Sequence, residues 1–179
     1  MLHIQLVKKA IKGDDQAFES LIQEESDKLY RTAFLYVRNK EDALDLLQET
    51  VCKAYVAIDK LKNPEYFSTW LTKILMNTAY EFLNKKKRIL LTGDAFFETI
   101  SNRSTSNVDD HIDLVKAISG LKEDYQSVII LFYYQDRSIQ DIAKILDRPE
   151  GTIKTYLHRA KSELNKALKG APNYGQGLV

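Results

Sequence analysis

Three carboxylates recur at helical spacing in the first half of the chain. Asp42, Asp45 and Glu49 lie three and four residues apart, so a helix would carry them on one face. Such a face could be solvated, attract a basic protein surface or bind a divalent cation. Cation-dependent nuclease chemistry is disfavoured, because the three histidines lie far from this segment in sequence and no nucleophile–base pair is apparent. We therefore predict no catalytic site, metal site or cofactor, and we expect the single cysteine, Cys52, to be a helix-packing residue.

Residues 138–164 carry the most specific pattern in the chain, two helices joined by a tight turn. Ser138 and Asp141 make a capping box that would start the first helix. Asp147 stands at the turn, where aspartate tolerates left-handed backbone better than most residues. The buried stripe of the first helix would contain Ile142 and Leu146. This turn chemistry is typical of a helix-turn-helix, a motif that binds DNA.

The second helix of this motif would have a buried face and a basic face. Four apolar residues at steps of four, three and four would face the core, namely Ile153, Leu157, Ala160 and Leu164. The opposite face carries side chains suited to base acceptors and phosphates, namely Lys154, Thr155, His158, Arg159 and Lys161. From Glu150 to Lys169, five basic residues stand against two acids, a local charge of +3. A solvated surface helix would also carry charges, but the turn chemistry favours a helix that reads the major groove.

An aromatic cluster and a basic run follow the acidic segment. Tyr66, Phe67 and Trp70 could stack on unpaired bases, whereas the spacing of Trp70 to the apolar residues after it equally favours core packing. Residues 85–88 read Lys-Lys-Lys-Arg at the end of a predicted helix. These four cations could neutralise phosphates or complement the helix dipole.

These residues belong to a chain whose apolar positions recur mostly at three- and four-residue steps, as in amphipathic helices. Of its 179 residues 44% are apolar and 28% charged, which is typical of a folded protein, and the net charge of +1 means that DNA binding must come from local patches. The sequence predicts an all-α protein with two small helical domains, residues 1–90 and 111–170, a flexible linker, 91–110, and a tail, 171–179. It lacks the pattern of a signal peptide and any apolar run long enough to cross a membrane, so we expect a cytoplasmic protein.

The order of these segments resembles the extracytoplasmic-function (ECF, group 4) sigma factors of the bacterial sigma-70 family. The resemblance runs from about Asp14 to Lys169 and rests on the basic run, the helix-turn-helix and two segments, Asp42-Ala-Leu-Asp-Leu-Leu-Gln-Glu-Thr-Val and Phe67-Ser-Thr-Trp-Leu-Thr-Lys-Ile-Leu-Met-Asn-Thr-Ala79. It implies a sigma-2-like domain joined by the linker to a sigma-4-like helix-turn-helix domain. It further implies a protein that directs core RNA polymerase to specific promoters and initiates transcription, in a stress or cell-envelope response, without being an enzyme.

The resemblance also implies roles for individual residues. The helix from Asp42 to Tyr55 would dock on the β′ coiled coil of the polymerase through Asp42, Asp45, Gln48 and Glu49. The loop from Asp59 to Glu65 would hold a flipped base of the −10 element, which Asn77 would help to read. The full set implied for the −10 element is Lys60, Leu61, Lys62, Asn63, Tyr66, Phe67, Trp70, Asn77, Lys85, Lys86, Lys87 and Arg88. The set implied for the −35 element is Arg148, Glu150, Gly151, Thr152, Lys154, Thr155, His158 and Arg159.

Further partners follow from the same resemblance. The second domain would rest on the β flap of the polymerase, and an anti-sigma factor, membrane-bound in many cases, would hold the protein inactive; no small-molecule substrate is implied. Three positions depart from the usual family pattern: Leu44 replaces an acid, Glu81 replaces Asp, and Thr155-Tyr156 replaces Ser-Arg. The alternative is a helix-turn-helix transcriptional regulator that does not bind core polymerase. Its N-terminal half would be a sensing or phosphorylation domain, usually with strands, and no strand alternation occurs there.

Overall fold

The computed structural model describes residues 2–91 and 109–168, with side chains described within 2–88 and 114–168. The chain divides into two compact units, Met1–Asn102 (unit 1) and Arg103–Val179 (unit 2). The predicted linker lies outside the described residues except at its ends, where Leu91 closes one helix and Asp109 opens the next. The predicted tail lies outside them altogether.

The described residues of unit 1, 2–91, form four helices and two short turns of 3-10 helix. Its helices are α1 (Leu2–Ile11), α2 (Asp15–Val37), α3 (Lys40–Ala57) and α4 (Phe67–Leu91). The two turns, Ile58–Lys60 and Pro64–Tyr66, lie between α3 and α4, and we call residues 58–66 the α3–α4 loop.

Local capping explains where these helices begin. Gly13 has a positive φ of 90° after α1, a conformation that glycine adopts at little cost. The side chain of Asp14 then accepts a hydrogen bond from the Ala17 amide at 3.0 Å and caps α2. Asn39 caps α3 in the same way, through the Asp42 amide at 3.0 Å. Short-range capping by Asp14 and Asn39 thus sets where α2 and α3 begin.

The core of unit 1 is built around α2, which contacts α1, α3 and α4. Its largest fully buried side chains are Leu21, Leu29, Leu46, Phe67, Leu71, Leu75 and Met76. Burying each such side chain contributes roughly 1.5–3 kcal/mol. Helix α1 packs on α2 and also contacts both turns of the α3–α4 loop, so the loop is supported by the core on one side.

Unit 2 consists of α5 (Asp109–Ser119), α6 (Glu123–Ile129), α7 (Ile139–Leu146) and α8 (Glu150–Leu168). A π-helical turn, Ile130–Tyr134, continues α6. Helix α8 contacts the other three helices, and its buried side chains are the four predicted ones together with Leu168.

The helix-turn-helix of unit 2 forms as its turn chemistry predicts. The Ser138 hydroxyl accepts a hydrogen bond from the Asp141 amide at 3.1 Å and donates one to the Asp141 carboxylate at 2.7 Å. Asp147 takes left-handed backbone, with φ of 51°, and ends α7. One detail of the prediction is wrong: Ile145, not Leu146, joins Ile142 in the buried stripe, because the left-handed residue lies directly after Leu146 and ends the helix there.

The described residues are helical or irregular, and none of them forms a strand. The predicted all-α fold is therefore confirmed. Within these residues no helix is both long and apolar enough to span a membrane.

Candidate nucleic-acid interface

Helix α3 presents an exposed face made of both apolar and polar side chains. Its buried residues, Ala43, Leu46, Thr50 and Ala54, lie on the side toward the core. On the opposite side Leu44 is 56% exposed, Tyr55 51% and Val56 76%. Asp45, Gln48, Glu49 and Cys52 are also exposed there. Large apolar side chains clustered in the open are typical of a protein-binding surface, and we call these seven residues the α3 face.

The α3 face differs in two ways from the sequence-based expectation. Cys52 is exposed, so the expected packing role is wrong. The exposed apolar residues Leu44 and Val56 were not predicted as contacts. A helical projection would have placed Leu44 beside Gln48 and Val56 beside Cys52, but only the packing of α3 shows which side of the helix is covered.

The three predicted carboxylates of α3 are not equivalent. Asp42 is ion-paired with Lys86 of α4, with 2.9 Å between Oδ2 and Nζ. Glu49 is ion-paired with Lys53 at 2.8 Å. Asp45 is exposed, and among the described residues it has no ion pair or hydrogen-bonding side chain. Asp45 is thus the carboxylate most readily available to a partner.

Lys53 connects α3 to α4. Its Nζ lies 2.7 Å from the Glu81 carboxylate and 3.4 Å from the Thr78 hydroxyl, in addition to its contact with Glu49. Burial lowers the pKa of Lys53, but hydrogen bonds and charges from Glu49 and Glu81 outweigh that effect, and the pKa is raised. Glu81, one of the positions that departs from the family pattern, therefore acts as an anchor between the two helices.

The α3–α4 loop exposes polar side chains on a hydrogen-bonded backbone. Asn63 accepts a hydrogen bond from the Glu65 amide at 3.0 Å, and the Leu61 amide donates to the Ile58 carbonyl at 3.1 Å. Lys60, Lys62 and Asn63 are exposed, whereas Leu61 is only 8% exposed. The role of Leu61 in the loop stays a prediction, and in this conformation its side chain packs in the core.

The aromatic cluster is split between core and surface. Tyr66 is 45% exposed, but Phe67 is fully buried. The ring of Phe67 is packed against His3 and Trp70, with centroid distances of 6.1 and 6.0 Å. The stacking of Phe67 on a base stays a prediction, and in this conformation neither face of its ring is open. Trp70 is partly buried, so it packs against Phe67 while retaining some exposed surface.

Exposed polar and basic side chains continue along α4. Asn77 is exposed, as are Lys85, Lys87 and Arg88. Lys86 instead folds over the Phe82 ring, at 6.0 Å from the ring centroid, and reaches Asp42. Three of the four predicted cations are thus exposed, and Lys86 is partly buried and ion-paired with Asp42.

In unit 2, the predicted residues of α8 and the preceding turn share one exposed surface. Seven of them are exposed, namely Arg148, Glu150, Gly151, Lys154, Thr155, His158 and Arg159, while Thr152 is partly buried. The Thr155 hydroxyl donates to the Gly151 carbonyl at 2.9 Å. A hydrogen bond and the charge of the Tyr125 hydroxyl raise the pKa of Arg159. The ring of Tyr125 in turn lies 5.5 Å from that of Tyr156, so Arg159 lies beside an ordered aromatic pair.

Metal chemistry finds no support in the described part of the chain. No group of three or more histidine, cysteine or acidic side chains there could hold a metal ion.

Comparison with known proteins identifies the family. Residues 21–89 match the family described as "Sigma-70 region 2", and residues 111–164 match "Sigma-70, region 4". RNA polymerase sigma factor SigV of Bacillus subtilis is 37% identical over 139 residues, which cover 78% of this chain and 83% of SigV. ECF RNA polymerase sigma factor SigW of the same organism is 30% identical, over 91% of this chain and 95% of SigW.

The chain belongs to the ECF sigma factors.

A solved structure agrees with this assignment. The sigma factor RpoE of Bartonella quintana, in complex with the anti-sigma factor NepR, is 28% identical over 86% of this chain and 98% of RpoE, with a TM-score of 0.74. As an ECF sigma factor, the protein directs core RNA polymerase to promoters. It is an initiation factor and not an enzyme. The regulator that does not bind polymerase is not favoured.

The sigma factor also has an apolar groove in unit 2 that sequence reasoning did not identify. The groove has a volume of about 250 Å³ and is lined mainly by apolar side chains and two tyrosines, Tyr133 and Tyr134. Lys161 lies on its rim with Nζ 5.6 Å from the centroid of the Tyr133 ring. Burial raises the pKa of Tyr134. The lining comes from α5, α6, the π-helical turn and α8, and no single segment of sequence carries a signal for it.

Proposed function

We propose that the α3 face is where this sigma factor docks on the β′ coiled coil of core RNA polymerase. The observation that carries the proposal is the exposure of Leu44, Tyr55 and Val56 around the polar residues Asp45 and Gln48. An apolar strip with charged neighbours suits packing against another helix. The carboxylate of Asp45 suits a basic partner surface.

Cys52 offers a direct test of this docking, because it is the single cysteine of the chain and lies within the α3 face. Core polymerase should slow the alkylation of Cys52 by a maleimide. In a matched control, Cys52→Ser combined with Leu2→Cys moves the thiol to α1, where Leu2 is 79% exposed; that thiol should stay reactive. Equal reactivity of Cys52 with and without polymerase would contradict docking through α3.

We propose that unit 1 reads the −10 element with the α3–α4 loop and the exposed side of α4. Four side chains within the loop or at its end are exposed, namely Lys60, Lys62, Asn63 and Tyr66. An amide such as Asn63 or Asn77 can bond the edge of a flipped base, a tyrosine ring can stack on a neighbouring base, and the basic run can contact phosphates. Leu61 and Phe67 support the loop from within the core.

We propose that unit 2 reads the −35 element with α8. In a helix-turn-helix the N-terminal part of the second helix lies in the major groove. That part carries the open side chains Lys154, Thr155, His158 and Arg159, following Arg148 in the turn. We assign the apolar groove of unit 2 to the β flap, because its lining of aliphatic and tyrosine side chains suits an apolar helix.

Transcription with purified components tests these assignments together. Core RNA polymerase and the full chain, supplied with a library of promoter fragments, should yield run-off transcripts from a restricted set of start sites sharing a −10 and a −35 sequence. Polymerase alone is the control. Transcripts with no shared upstream sequence would contradict promoter reading by this chain.

We further propose that an anti-sigma factor covers the α3 face until a stress or cell-envelope signal releases the protein, and that it holds the sigma factor at the cytoplasmic side of the membrane. The support is the similarity to RpoE, which forms a complex with the anti-sigma factor NepR. A membrane fraction from resting cells should retain the tagged sigma factor, and release after envelope stress should accompany transcription from its promoters. Equal amounts in the soluble fraction before and after stress would contradict membrane retention.

A further inference from the structure

One ion pair joins two residues for which the sequence resemblance implies different partners. Asp42 belongs to the set predicted for polymerase, and Lys86 belongs to the set predicted for −10 DNA. In the described structure their charged atoms are 2.9 Å apart. The side chain of Asp42 is 24% exposed and that of Lys86 is 40% exposed, so the pair is partly shielded from water and screened less than a fully exposed pair.

The ion pair ties the ammonium group of Lys86 to α3. Lys86 lies over the Phe82 ring and points to the first turn of α3, whereas Lys85, Lys87 and Arg88 are exposed. A carboxylate and a phosphate compete for the same ammonium group, because both accept charge-assisted hydrogen bonds. Lys86 can therefore contact a phosphate only when its contact with Asp42 is broken.

We propose that Asp42 acts as an internal competitor of DNA in the free sigma factor and that docking of polymerase on α3 releases Lys86 for the promoter. This inference rests on the proposed function, because it takes the basic run as a DNA contact and α3 as the polymerase contact. A basic polymerase surface at the start of α3 attracts the Asp42 carboxylate in competition with Lys86. Core binding then raises the number of cations available to DNA by one, without any change of fold.

The first experiment compares two charge-matched variants of the free, full-length chain. Asp42→Asn and Glu41→Gln each remove one negative charge from neighbouring positions in the first turn of α3, but the described structure shows an ion pair only for Asp42. The probe is a fluorescein-labelled DNA single strand of mixed sequence, titrated by anisotropy. Asp42→Asn should bind it about two- to fivefold more tightly than Glu41→Gln does, which is the range expected for an ion pair of modest strength. Equal affinities would overturn the proposal.

Salt dependence and a double variant identify the released cation. For Asp42→Asn the slope of log affinity against log salt should steepen by about 0.7, the value for one further phosphate contact on a single strand. The variant Asp42→Asn/Lys86→Gln should bind no more tightly than Lys86→Gln alone. If Asp42→Asn still raises the DNA affinity of a chain that carries Lys86→Gln, the proposal is overturned. The gain would then come from the loss of a negative charge and not from the broken Asp42–Lys86 ion pair. Circular dichroism of every variant checks that the helices are intact. Any effect on DNA affinity that comes only from altering the first turn of α3 should also occur in the Glu41→Gln control.

The second experiment measures, in holoenzyme, the ratio of the DNA affinities of Asp42→Asn and Glu41→Gln. With core polymerase bound, Asp42→Asn and Glu41→Gln should bind promoter DNA with a ratio near one, since docking has already released Lys86 in both. A ratio as large as in the free chain would overturn release by polymerase. Lys85→Gln separates this inference from the proposed function: if loss of Lys85, which is exposed, does not weaken DNA binding, the basic run is not a DNA surface and the proposed function fails. If Lys85→Gln does weaken DNA binding, but the free Asp42→Asn and Glu41→Gln variants bind the DNA single strand with equal affinity, only the inference fails.

Discussion

Arg159 illustrates what a single side chain would contribute to the promoter reading that we propose for unit 2. It is exposed on α8, and the Tyr125 hydroxyl beside it raises the pKa of the guanidinium. The group therefore stays charged throughout the accessible pH range and is held on one side by an ordered neighbour. Both properties suit a contact to a base edge, because a pre-positioned guanidinium loses less conformational entropy on binding.

We expect Arg159→Ala to weaken binding to a −35 duplex by about 1–3 kcal/mol, the usual value of a specific arginine–base contact. Anisotropy titrations on a promoter obtained from the run-off experiment measure the loss. The matched control is Lys166→Ala, which removes an exposed cation from the same helix outside the predicted set. Core polymerase should bind both variants normally, and a parallel loss of core binding in Arg159→Ala would contradict the separation of DNA and polymerase surfaces.

Two adjacent aromatic residues should respond to substitution in opposite ways. Tyr66→Ala removes an exposed ring and should lower the affinity for −10 single strands by about 1–3 kcal/mol, with little change in the free energy of unfolding. Phe67→Ala removes a fully buried ring and should lower the free energy of unfolding by about 3–5 kcal/mol. Urea unfolding and strand binding distinguish the two effects. A Phe67→Ala variant as stable as the parent would show that the described packing of this ring is incorrect.

At the scale of elements, the helix-turn-helix depends on backbone groups at the ends of α7. Ser138 satisfies an amide at its start, and Asp147 ends it in left-handed backbone. Ser138 thus sets where α7 begins, and Asp147 turns the chain from α7 toward α8. Sequence identified both, because capping depends on residues no more than four positions apart.

Ser138→Ala should lower the free energy of unfolding of unit 2 by about 1 kcal/mol, because the Asp141 amide loses its cap. Thermal unfolding followed by circular dichroism measures the change. Ser162→Ala, which alters an exposed serine within α8, serves as the control and should leave the midpoint nearly unchanged. Similar midpoints for the two variants would argue that the Ser138 cap does not stabilise unit 2.

Helix α3 shows how an element acquires two functions. Its inner side packs in the core, its first turn and Lys53 are bound to α4, and its outer side is open. Two ion pairs and core packing join α3 to α4. A partner docked on α3 would therefore lie next to the helix for which we propose a DNA contact.

At the scale of the whole molecule, the sigma factor must bind polymerase and DNA with different parts of its surface. Leu44→Lys places a cation within the α3 face, and we expect it to weaken core binding by about 2 kcal/mol or more, as for a residue central to an interface. Binding of the −35 duplex by the free chain should not change. Pull-down of core polymerase and duplex titration provide the two measurements.

Leu2→Lys is the matched control for this change, because Leu2 is also exposed but lies on α1. Its core binding should equal that of the parent chain. If Leu44→Lys retains full core binding, polymerase does not dock on this side of α3.

The sequence by itself determined the helices, their caps, the helix-turn-helix and the family. These features depend on short-range periodicity and on residue types within a few positions, and the chain carries them at Asn39, Ser138 and Asp147. The sequence also predicted most of the exposed residues of α8, because the four-three-four apolar spacing leaves only one face for the core.

Only the tertiary structure decided which of the remaining candidates are open to a partner. Phe67 and Leu61 are buried, Cys52 and Leu44 are exposed, and Asp42 pairs with a lysine 44 residues away. The physical reason is that burial and ion pairing depend on which faces of α2, α3 and α4 meet. Residue types and spacing within one helix define its faces, but the packing of the neighbouring helices determines which face remains in solvent.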